Sequence, residues 1–380
     1  MPTPLRINGL TAADTEDKIE LLISNLVSIK DTTGKFLMPL ADGRVIDTKG
    51  WNDWEWTHGI GLYGLYQYQF LRPLSRARSV IKEWFDGRLA EGTTKNINTM
   101  AAMLTLAFVY EEDPHGEARA YRPWLEQWAE WAMHDLPRTK GGGFQHVTYD
   151  LLNEDELWDD TLMMTALPLA KIGMVLGRPS YVEEAKRQFL IHVNYLQDRK
   201  TGLWFHGWKF DDGADHGVGH NFADVRWARG NAWITIAIPE FLEIAELPEG
   251  DALRMYLVEV LRAQCAALKK HQLPNGMWNT VLDVEDDRNY EEASATAGFA
   301  YGLLKAARQR LIGKEYVEVA MKAINAVLDR IGEDGELSDT SFGTAVGQSL
   351  EHYFAIPRTS MPYGQAMAMM ALVELRRAFI

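Results

Sequence analysis

The sequence predicts an all-α protein in which about twelve helices form two concentric rings. About twelve segments carry apolar residues at helical spacing, and convincing strand alternation is nearly absent. These segments alternate between an apolar type, rich in Gly, Ala, Met and Leu, and an amphipathic, charged type. A helix that is apolar all round is buried, whereas an amphipathic helix faces water on one side. Six inner helices alternating with six outer helices describe an (α/α)6 barrel.

The predicted helices follow one another along the whole chain, which we expect to form one domain over residues 1–380. They run near 15–29, 57–71, 76–88, 97–111, 117–135, 158–175, 179–197, 227–246, 251–271, 292–309, 313–331 and 362–378. The inner set begins near residues 57, 97, 158, 227, 292 and 362. Short strand candidates, where Gly and aromatic residues mix, lie around 142–148, 203–209 and 277–283.

Composition and charge exclude several functional classes. The 380 residues carry a net charge of −14, which argues against nucleic acid and anionic membranes as partners. The one cysteine, Cys265, excludes an internal disulfide and lies in an apolar helical stretch, where we expect a buried thiol. The first 17 residues show no signal-peptide pattern, and no apolar run approaches the roughly 20 residues of a membrane span. These features predict a cytoplasmic protein, of an oligomeric state that the sequence does not fix.

The connections between helices predict where a functional site lies. Links from an inner to an outer helix are short, as at 71–74 and 177–179. Links from an outer to an inner helix are long and often contain Gly and Trp, as at 201–208, 274–278 and 333–339. Long loops in a compact domain are usually functional. We therefore expect the site at the face where the inner helices begin.

Polar and aromatic residues recur at the starts of these otherwise apolar helices. Burying such residues costs free energy unless partners or a ligand satisfy them, which favours a ligand-binding floor over simple helix capping. Tryptophan is a flat, amphipathic surface that stacks on sugar rings. The residues in question are Trp54, Trp56, His58, Asn96, Asn98, Trp158, Asp159, Asp160, Arg226, Trp227, Arg229, Asn231, Tyr290, Glu291, Glu292, Ser294, Thr296, Pro362, Tyr363 and Gln365.

Asp160 is the preferred acid of this set. Adjacent helical residues point about 100° apart, so only one of Asp159 and Asp160 faces the barrel axis, and the other can cap the helix. Asp160 shares its face with the apolar residues Met164 and Leu167. Desolvation there would raise the pKa of Asp160 towards use as a general acid, whereas the helix N-terminus would oppose this.

Arg229 is the second strong signal, because an arginine stays protonated and needs an anionic partner. Two interpretations remain open: a structural salt bridge to Glu291 or Glu292, and a clamp on a substrate carboxylate. Trp227, two residues earlier, could stack on a sugar. His58 could bind a ligand or cap its helix.

No metal or cofactor is predicted. The loop at 211–220 contains Asp211, Asp212, Asp215, His216 and His220, but their spacing matches neither an EF-hand nor a tight zinc site, so a flexible acidic loop is the preferred interpretation. No phosphate-binding loop and no nucleophile elbow is present.

Five motifs occur in a characteristic order: WTHGIGLYGL, LWDDTLMM, RWARGNAW, SATAGFAYGLL and PYGQAMAMMAL. Together they resemble glycoside hydrolase family 105, the unsaturated rhamnogalacturonyl hydrolases, which is related to the family 88 unsaturated glucuronyl hydrolases. The resemblance runs from about residue 15 to the C-terminus. It implies an (α/α)6 barrel and a small oligosaccharide substrate with a 4,5-unsaturated uronic acid at its non-reducing end, such as rhamnogalacturonan fragments from pectin.

The resemblance also implies a mechanism and its residues. An Asp donates a proton to C4 of the vinyl ether, water adds at C5, and the hemiketal opens to release the second sugar, unlike the usual two-carboxylate scheme. The Asp of the family's W-x-D-T-L pattern falls on Asp160, and the Trp and Arg of its W-x-R-G-N stretch fall on Trp227 and Arg229. Where the family has a second Asp, this chain reads TTKNINTM. The family's loop His, just upstream of the W-x-R-G-N stretch, falls on His206. Together with the residues at the helix starts, we predict substrate binding by Trp56, His58, Asn98, His206, Trp227, Arg229, Asn231 and Trp233.

Three alternatives remain. The first is an unsaturated glucuronyl hydrolase that acts on fragments of other polysaccharides. An (α/α)6 enzyme acting on a neutral sugar, such as an epimerase, would favour paired His bases, for which His58, His206 and His352 are candidates. A non-catalytic sugar-binding protein would have the same aromatic residues at the floor of its site but would need no carboxyl positioned for acid catalysis.

Overall fold

A computed structural model describes residues 5–40, 42–211 and 217–380. Thirteen α-helices occur within these residues, and π-helical turns at Trp131–Asp135 and Leu162–Ala166 extend the fifth and open the sixth. In chain order the helices are α1 (Ala12–Ser28), α2 (Trp56–Leu71), α3 (Ala77–Glu91), α4 (Ala102–Glu112), α5 (Arg122–Glu130), α6 (Leu167–Leu176), α7 (Pro179–Leu196), α8 (Ala228–Ile244), α9 (Ala252–His271), α10 (Ala293–Arg308), α11 (Glu315–Leu328), α12 (Leu350–Phe354) and α13 (Pro362–Arg377).

The helices close into a ring. α2 packs on α4, α4 on α6, α6 on α8, α8 on α10, α10 on α13, and α13 returns to α2. An outer helix packs on each inner one: α3 on α2, α5 on α4, α7 on α6, α9 on α8, α11 on α10 and α1 on α13. This arrangement confirms the predicted (α/α)6 barrel. The short helix α12 has no counterpart among the predicted segments.

The burial of each helix follows its composition. In α13, fourteen consecutive residues from Pro362 to Leu375 are buried, as expected for a helix that is apolar on every side. The outer helix α11 buries only one stripe of Val, Ala and Ile and exposes its charged face. Glycines let the inner helices approach closely: a Cβ on Gly302 of α10 would lie 2.5 Å from the carbonyl oxygen of Thr235 in α8. The thiol of Cys265 is buried in the same core.

Strands are short and lie in the loops. β1 (Leu37–Pro39) pairs with β2 (Val45–Asp47), β3 (Glu156–Trp158) with β4 (Gly207–Phe210), β4 with β5 (Gly219–His220), and β6 (Thr340–Ser341) with β7 (Arg358–Thr359), all antiparallel. Of the strand candidates, only 203–209 overlaps a strand. The prediction was wrong for 142–148 and 277–283, which make isolated bridges, because their backbone bonds go to separate loops.

Ion pairs occupy the end of the barrel where the inner helices finish. The Glu240 carboxylate lies 2.7 Å from the Lys305 ammonium, both groups are buried, and the Tyr301 hydroxyl donates to the same carboxylate. Arg308 pairs with Glu374 at 2.9 Å. Buried charges are tolerated only when paired and hydrogen-bonded, as these are. In the part of the chain that the structure describes, no helix is long and apolar enough to cross a membrane.

The contact at Gly302 gives a stability prediction. Gly302→Ala should destabilise the protein by about 1–3 kcal/mol, because the new methyl group must push α10 away from the α8 backbone. Gly87→Ala is the matched control: its Cβ would meet nothing within 4 Å, in the middle of α3, so it should stabilise by about 0.4–1 kcal/mol. Urea unfolding midpoints measure both. Equal midpoints for Gly302→Ala and the wild type would contradict the close contact.

Candidate active site

A cavity of about 310 Å³ opens at the face where the inner helices begin, which is the face that the long loops predicted. Its wall combines helix starts with loops from distant parts of the chain. The lining residues are Lys35, Phe36, Met38, Thr48, Glu55, Trp56, Thr57, Asn98, His146, Thr148, Tyr149, Asp150, Leu151, Asn153, Trp158, Asp160, Trp227, Trp233, Phe342, Gly343, Thr344, Ala345, Met361 and Tyr363. Aromatic rings and a few polar groups suit a sugar ligand.

Asp160 lies at the inner edge of this cavity, immediately before the helical turns that lead into α6. Its side chain is 15% exposed, so it reaches the cavity from an otherwise buried position. Burial raises the pKa of Asp160 to about 7, although the positive charge of Arg229 acts in the opposite direction. A carboxyl with this pKa is partly protonated at neutral pH and can donate a proton.

His146 is the side chain beside Asp160. Its Nδ1 lies 3.3 Å from the Asp160 Oδ1 and 2.9 Å from the Thr161 Oγ1. The imidazole stacks on Trp158 with ring centroids 4.1 Å apart, and burial lowers its pKa to about 3, so it is neutral. The Nδ1 is hydrogen-bonded to the Thr161 hydroxyl and the Asp160 Oδ1 has no hydrogen-bond partner among the described residues, so the imidazole packs beside the Asp160 carboxyl without a hydrogen bond to it. The sequence carried no signal for His146, because it lies in an irregular segment.

Asp159, the neighbour of Asp160, is directed away from the cavity. Its carboxyl is fully buried and makes no side-chain hydrogen bond with a described residue. It packs so closely on Gly230 that a Cβ there would lie 2.1 Å from its Oδ2. Burial, with the nearby Asp160 carboxyl, raises the pKa of Asp159 well above its usual range and thus favours its neutral form.

Tryptophan and tyrosine rings form the aromatic wall. Trp56 stacks on Tyr363 at 4.4 Å and meets Trp233 edge-on at 6.0 Å. Trp227 lines the same cavity, and its indole nitrogen makes no hydrogen bond with a described residue. Among the predicted substrate-binding residues, the structure thus brings Trp56, Asn98, Trp227 and Trp233 to the cavity together with Asp160.

Arg229 does not line the cavity. Its guanidinium is buried between the rings of Trp227 and Tyr363, with its carbon 4.5 and 4.9 Å from their centroids. It donates to the Phe342 carbonyl at 2.7 Å and to the Thr344 hydroxyl at 3.1 Å, and it lies 3.4 Å from the Glu292 carboxylate. The sequence left open a structural salt bridge and a clamp on a substrate carboxylate. The observed geometry corresponds to the structural salt bridge, with Glu292 as the partner.

Three other predicted binding residues also lie behind the wall. His58 accepts from the Glu55 N–H at its Nδ1, its Nε2 contacts the Gly50 carbonyl, and burial lowers its pKa to about 4. His206 lies behind Trp227 and bonds the Tyr353 hydroxyl at 2.8 Å. Asn231 is fully buried and bonds backbone groups of Trp204 and Trp227. None of the three lines the cavity.

Other cavity residues were not predicted from sequence. Glu55 precedes α2, Lys35 and Phe36 come from the N-terminal segment, and Gly343–Ala345 from the loop after β6. These residues belong to loops without periodicity, so only the fold brings them together. In the considered acidic loop, Asp212, Asp215 and His216 lie outside the described residues. Residues 5–40, 42–211 and 217–380 contain no cluster of His, Cys, Asp and Glu that could hold a metal ion.

Solved structures resemble the whole chain. A possible GH105 member from Salmonella enterica serovar Paratyphi A is 55% identical, with a TM-score of 0.94, over 100% of this chain and 97% of that one. A possible GH105 member from Klebsiella pneumoniae is also 55% identical, with a TM-score of 0.93, over 100% of this chain and 96% of that one. An unsaturated glucuronyl hydrolase from Bacillus sp. GL1, 18% identical with a TM-score of 0.70 and 97% of each chain covered, shares the fold.

Sequence relatives point the same way. The unsaturated rhamnogalacturonyl hydrolase YesR of Bacillus subtilis is 31% identical over 329 residues, which cover 85% of this chain and 89% of YesR. The family model for Glycosyl Hydrolase Family 88 matches residues 28–379. The resemblance to family 105 and its relative family 88 is thereby confirmed. The chain belongs to glycosyl hydrolase family 88, as that family model defines it, and is a glycoside hydrolase.

Proposed function

We propose that this protein releases the 4,5-unsaturated uronic acid from the non-reducing end of disaccharides that polysaccharide lyases produce, with rhamnogalacturonan fragments as substrate. One observation carries the proposal: a carboxyl with a pKa of about 7, Asp160, reaches into an aromatic cavity of disaccharide size. YesR, named for unsaturated rhamnogalacturonyl hydrolysis, supports this substrate class.

In the proposed reaction, protonated Asp160 donates its proton to C4 of the C4=C5 vinyl ether. Positive charge develops at C5, where the ring oxygen stabilises it. Water then adds to C5 while the Asp160 carboxylate takes up the proton that this water loses, which regenerates the acid. The resulting hemiketal opens and releases the second sugar. One carboxyl therefore suffices, because it acts first as acid and then as base.

The surroundings of Asp160 support this double role. The imidazole of His146 packs beside the carboxyl, with its Nδ1 3.3 Å from the Asp160 Oδ1, and because it is neutral it adds no charge beside the acid. The positive charge of Arg229 lies close enough to lower the pKa of Asp160 and thus keeps the carboxylate accessible for the second step. Burial and Arg229 together hold the pKa near neutrality, where both forms are populated.

The charge of the cavity also supports an acidic sugar. Among the described residues that line it, Lys35 is the one lysine or arginine, and its ammonium can attract a uronate. The buried Arg229 adds positive potential from behind Trp227. Most of the acidic residues behind the net charge of −14 lie outside this cavity, and their effect is screened over about 10 Å at moderate ionic strength.

The alternative of an epimerase finds no support. Its candidate bases were His58, His206 and His352, and none of these lines the cavity.

A second candidate substrate comes from an unsaturated 3S-rhamnoglycuronyl hydrolase of Alteromonas, 28% identical over 183 residues that cover 48% of this chain and 43% of that protein. We expect the enzyme to prefer unsaturated rhamnogalacturonan disaccharides, because the match to YesR covers more of the chain than the match to the Alteromonas protein. Comparison of kcat/KM on both disaccharides tests this preference, and a higher value on the second would reassign the leaving sugar.

Replacement of the acid gives a direct test. Asp160→Asn should reduce hydrolysis by at least about 100-fold, because an amide cannot donate the proton to C4, while substrate binding persists. The loss of ultraviolet absorbance of the unsaturated uronate measures the rate. Asp159→Asn is the matched control: burial favours the neutral form of Asp159, which is directed away from the cavity, so an amide of the same shape should leave the rate within about twofold. Equal rates for Asp160→Asn and the wild type would refute the catalytic assignment.

The pKa of Asp160 predicts the pH dependence. Because the protonated form acts first, kcat/KM should begin to fall as the pH rises through about 7, where that proton is lost. Between pH 7 and 8 the fall should be about fivefold, because about half of Asp160 is protonated at pH 7 and about a tenth at pH 8. Initial rates in overlapping buffers of constant ionic strength measure the profile. A rate that instead rises between pH 6 and 8 would show that the carboxylate acts first.

A further inference from the structure

A second carboxyl, that of Glu55, lies in the cavity wall without a use in the proposed reaction. Glu55 is 1% exposed and precedes α2 as its N-cap residue. Its Oε2 accepts a hydrogen bond from the Trp56 N–H at 2.6 Å. Its Oε1 is buried and makes no hydrogen bond of normal geometry with a described residue. A buried polar atom without a hydrogen-bond partner costs free energy. A ligand group that forms a hydrogen bond with this atom therefore contributes to binding affinity.

The groups that face Glu55 come from several segments. Tyr149 and the negatively charged Asp150 belong to the loop before β3, and Asp160 and the neutral His146 lie across the same cavity. Lys35 lines the cavity from the N-terminal segment. On its own helix, neutral His58 accepts from the Glu55 backbone N–H.

These surroundings favour the neutral carboxylic acid. Burial raises the pKa of Glu55 to about 8, against the opposing effects of the Trp56 N–H and the Asn98 side chain, while the charge of Asp150 adds to the rise. At pH 7 Glu55 therefore carries a proton. The Trp56 N–H donates to the Oε2, and the His58 N–H donates to the same carboxyl as part of a capping box. Because the Oε1 has no hydrogen-bond partner among the described residues, it is the oxygen that can carry the hydroxyl hydrogen.

We propose that Glu55 is a specificity-determining residue that donates a hydrogen bond from its protonated carboxyl to a sugar hydroxyl of the bound substrate. This inference rests on the proposed function, since it takes a uronic-acid disaccharide as the ligand. A protonated carboxyl can donate, whereas a carboxylate only accepts. An ionised Glu55 would also place a second negative charge beside the uronate. Ionisation of Glu55 therefore weakens substrate binding in two ways.

Glu55→Gln is the variant that isolates this role, because an amide keeps both an acceptor for the Trp56 N–H and a donor for the sugar but cannot ionise. In the wild type, loss of protons from Asp160 and then from Glu55 should steepen the fall of kcat/KM from about tenfold to about a hundredfold per pH unit above pH 8. In Glu55→Gln the fall should stay near tenfold per pH unit above pH 8, because only Asp160 then loses a proton. Glu55→Ala should raise KM by about tenfold or more, with a smaller change in kcat.

A second measurement needs no substrate. In protein labelled with 13C at the glutamate carboxyl, the resonance that is missing from Glu55→Gln should titrate near pH 8 instead of near the ordinary value of about 4.3. A resonance that titrates in the ordinary range, or identical pH profiles for wild type and Glu55→Gln, would overturn the role of Glu55 and leave the proposed function standing. Failure to hydrolyse any unsaturated disaccharide would overturn the proposed function, while the titration would still report the state of Glu55.

Discussion

The buried ion pair between Arg229 and Glu292 is the interaction on which the site depends. Arg229 begins α8, and Glu292 caps α10 by accepting from the Ala295 and Ser341 N–H groups. The guanidinium also holds the Phe342 carbonyl and the Thr344 hydroxyl, so the loop after β6 is fixed as part of the cavity wall. Removing one partner of such a pair costs about 3–5 kcal/mol, because the other charge stays buried. Loss of activity on replacing Arg229 would therefore reflect a collapsed wall and would not identify a substrate contact.

The positive charge of Arg229 also lowers the pKa of Asp160. Burial alone favours the neutral form of every carboxyl near the cavity, and a carboxyl that never ionises could not take up a proton from water. Arg229 opposes this effect at Asp160, whose pKa settles near 7, whereas at fully buried Asp159 the neutral form stays favoured. Two adjacent aspartates thus differ in chemistry because one reaches the cavity and the other packs on Gly230. Gly230 follows Arg229 in the chain. The start of α8 therefore positions both the Arg229 guanidinium and the buried carboxyl of Asp159, which packs on Gly230.

The sequence predicted the ring of helices and the inward position of Asp160, because both depend on local periodicity. An apolar helix such as α13 can be stable only inside the barrel, and Asp160 shares its face with such residues. The sequence could not decide the role of Arg229, since its partners lie as many as 115 residues away in the loop after β6. It missed His146 and Glu55 because both lie in loops, where neither spacing nor propensity indicates the direction of a side chain. Asn98, predicted from its place at the start of an inner helix, does line the cavity, and its neighbour there is Glu55, a carboxyl that no motif indicated.

An acidic protein that binds an acidic sugar must prevent repulsion where the two meet. The cavity limits this repulsion by burial, which favours the neutral forms of the Glu55 and Asp160 carboxyls, whereas Asp150 lies exposed in the same wall. The cations nearby are Lys35 at the wall and Arg229 behind it. The overall charge of −14 is therefore a poor guide to the potential that a bound uronate would experience. The same burial that suppresses negative charge also creates the proton donors that the proposed reaction needs. Substrate binding and acid catalysis would then have one physical cause, the exclusion of water from the starts of the inner helices.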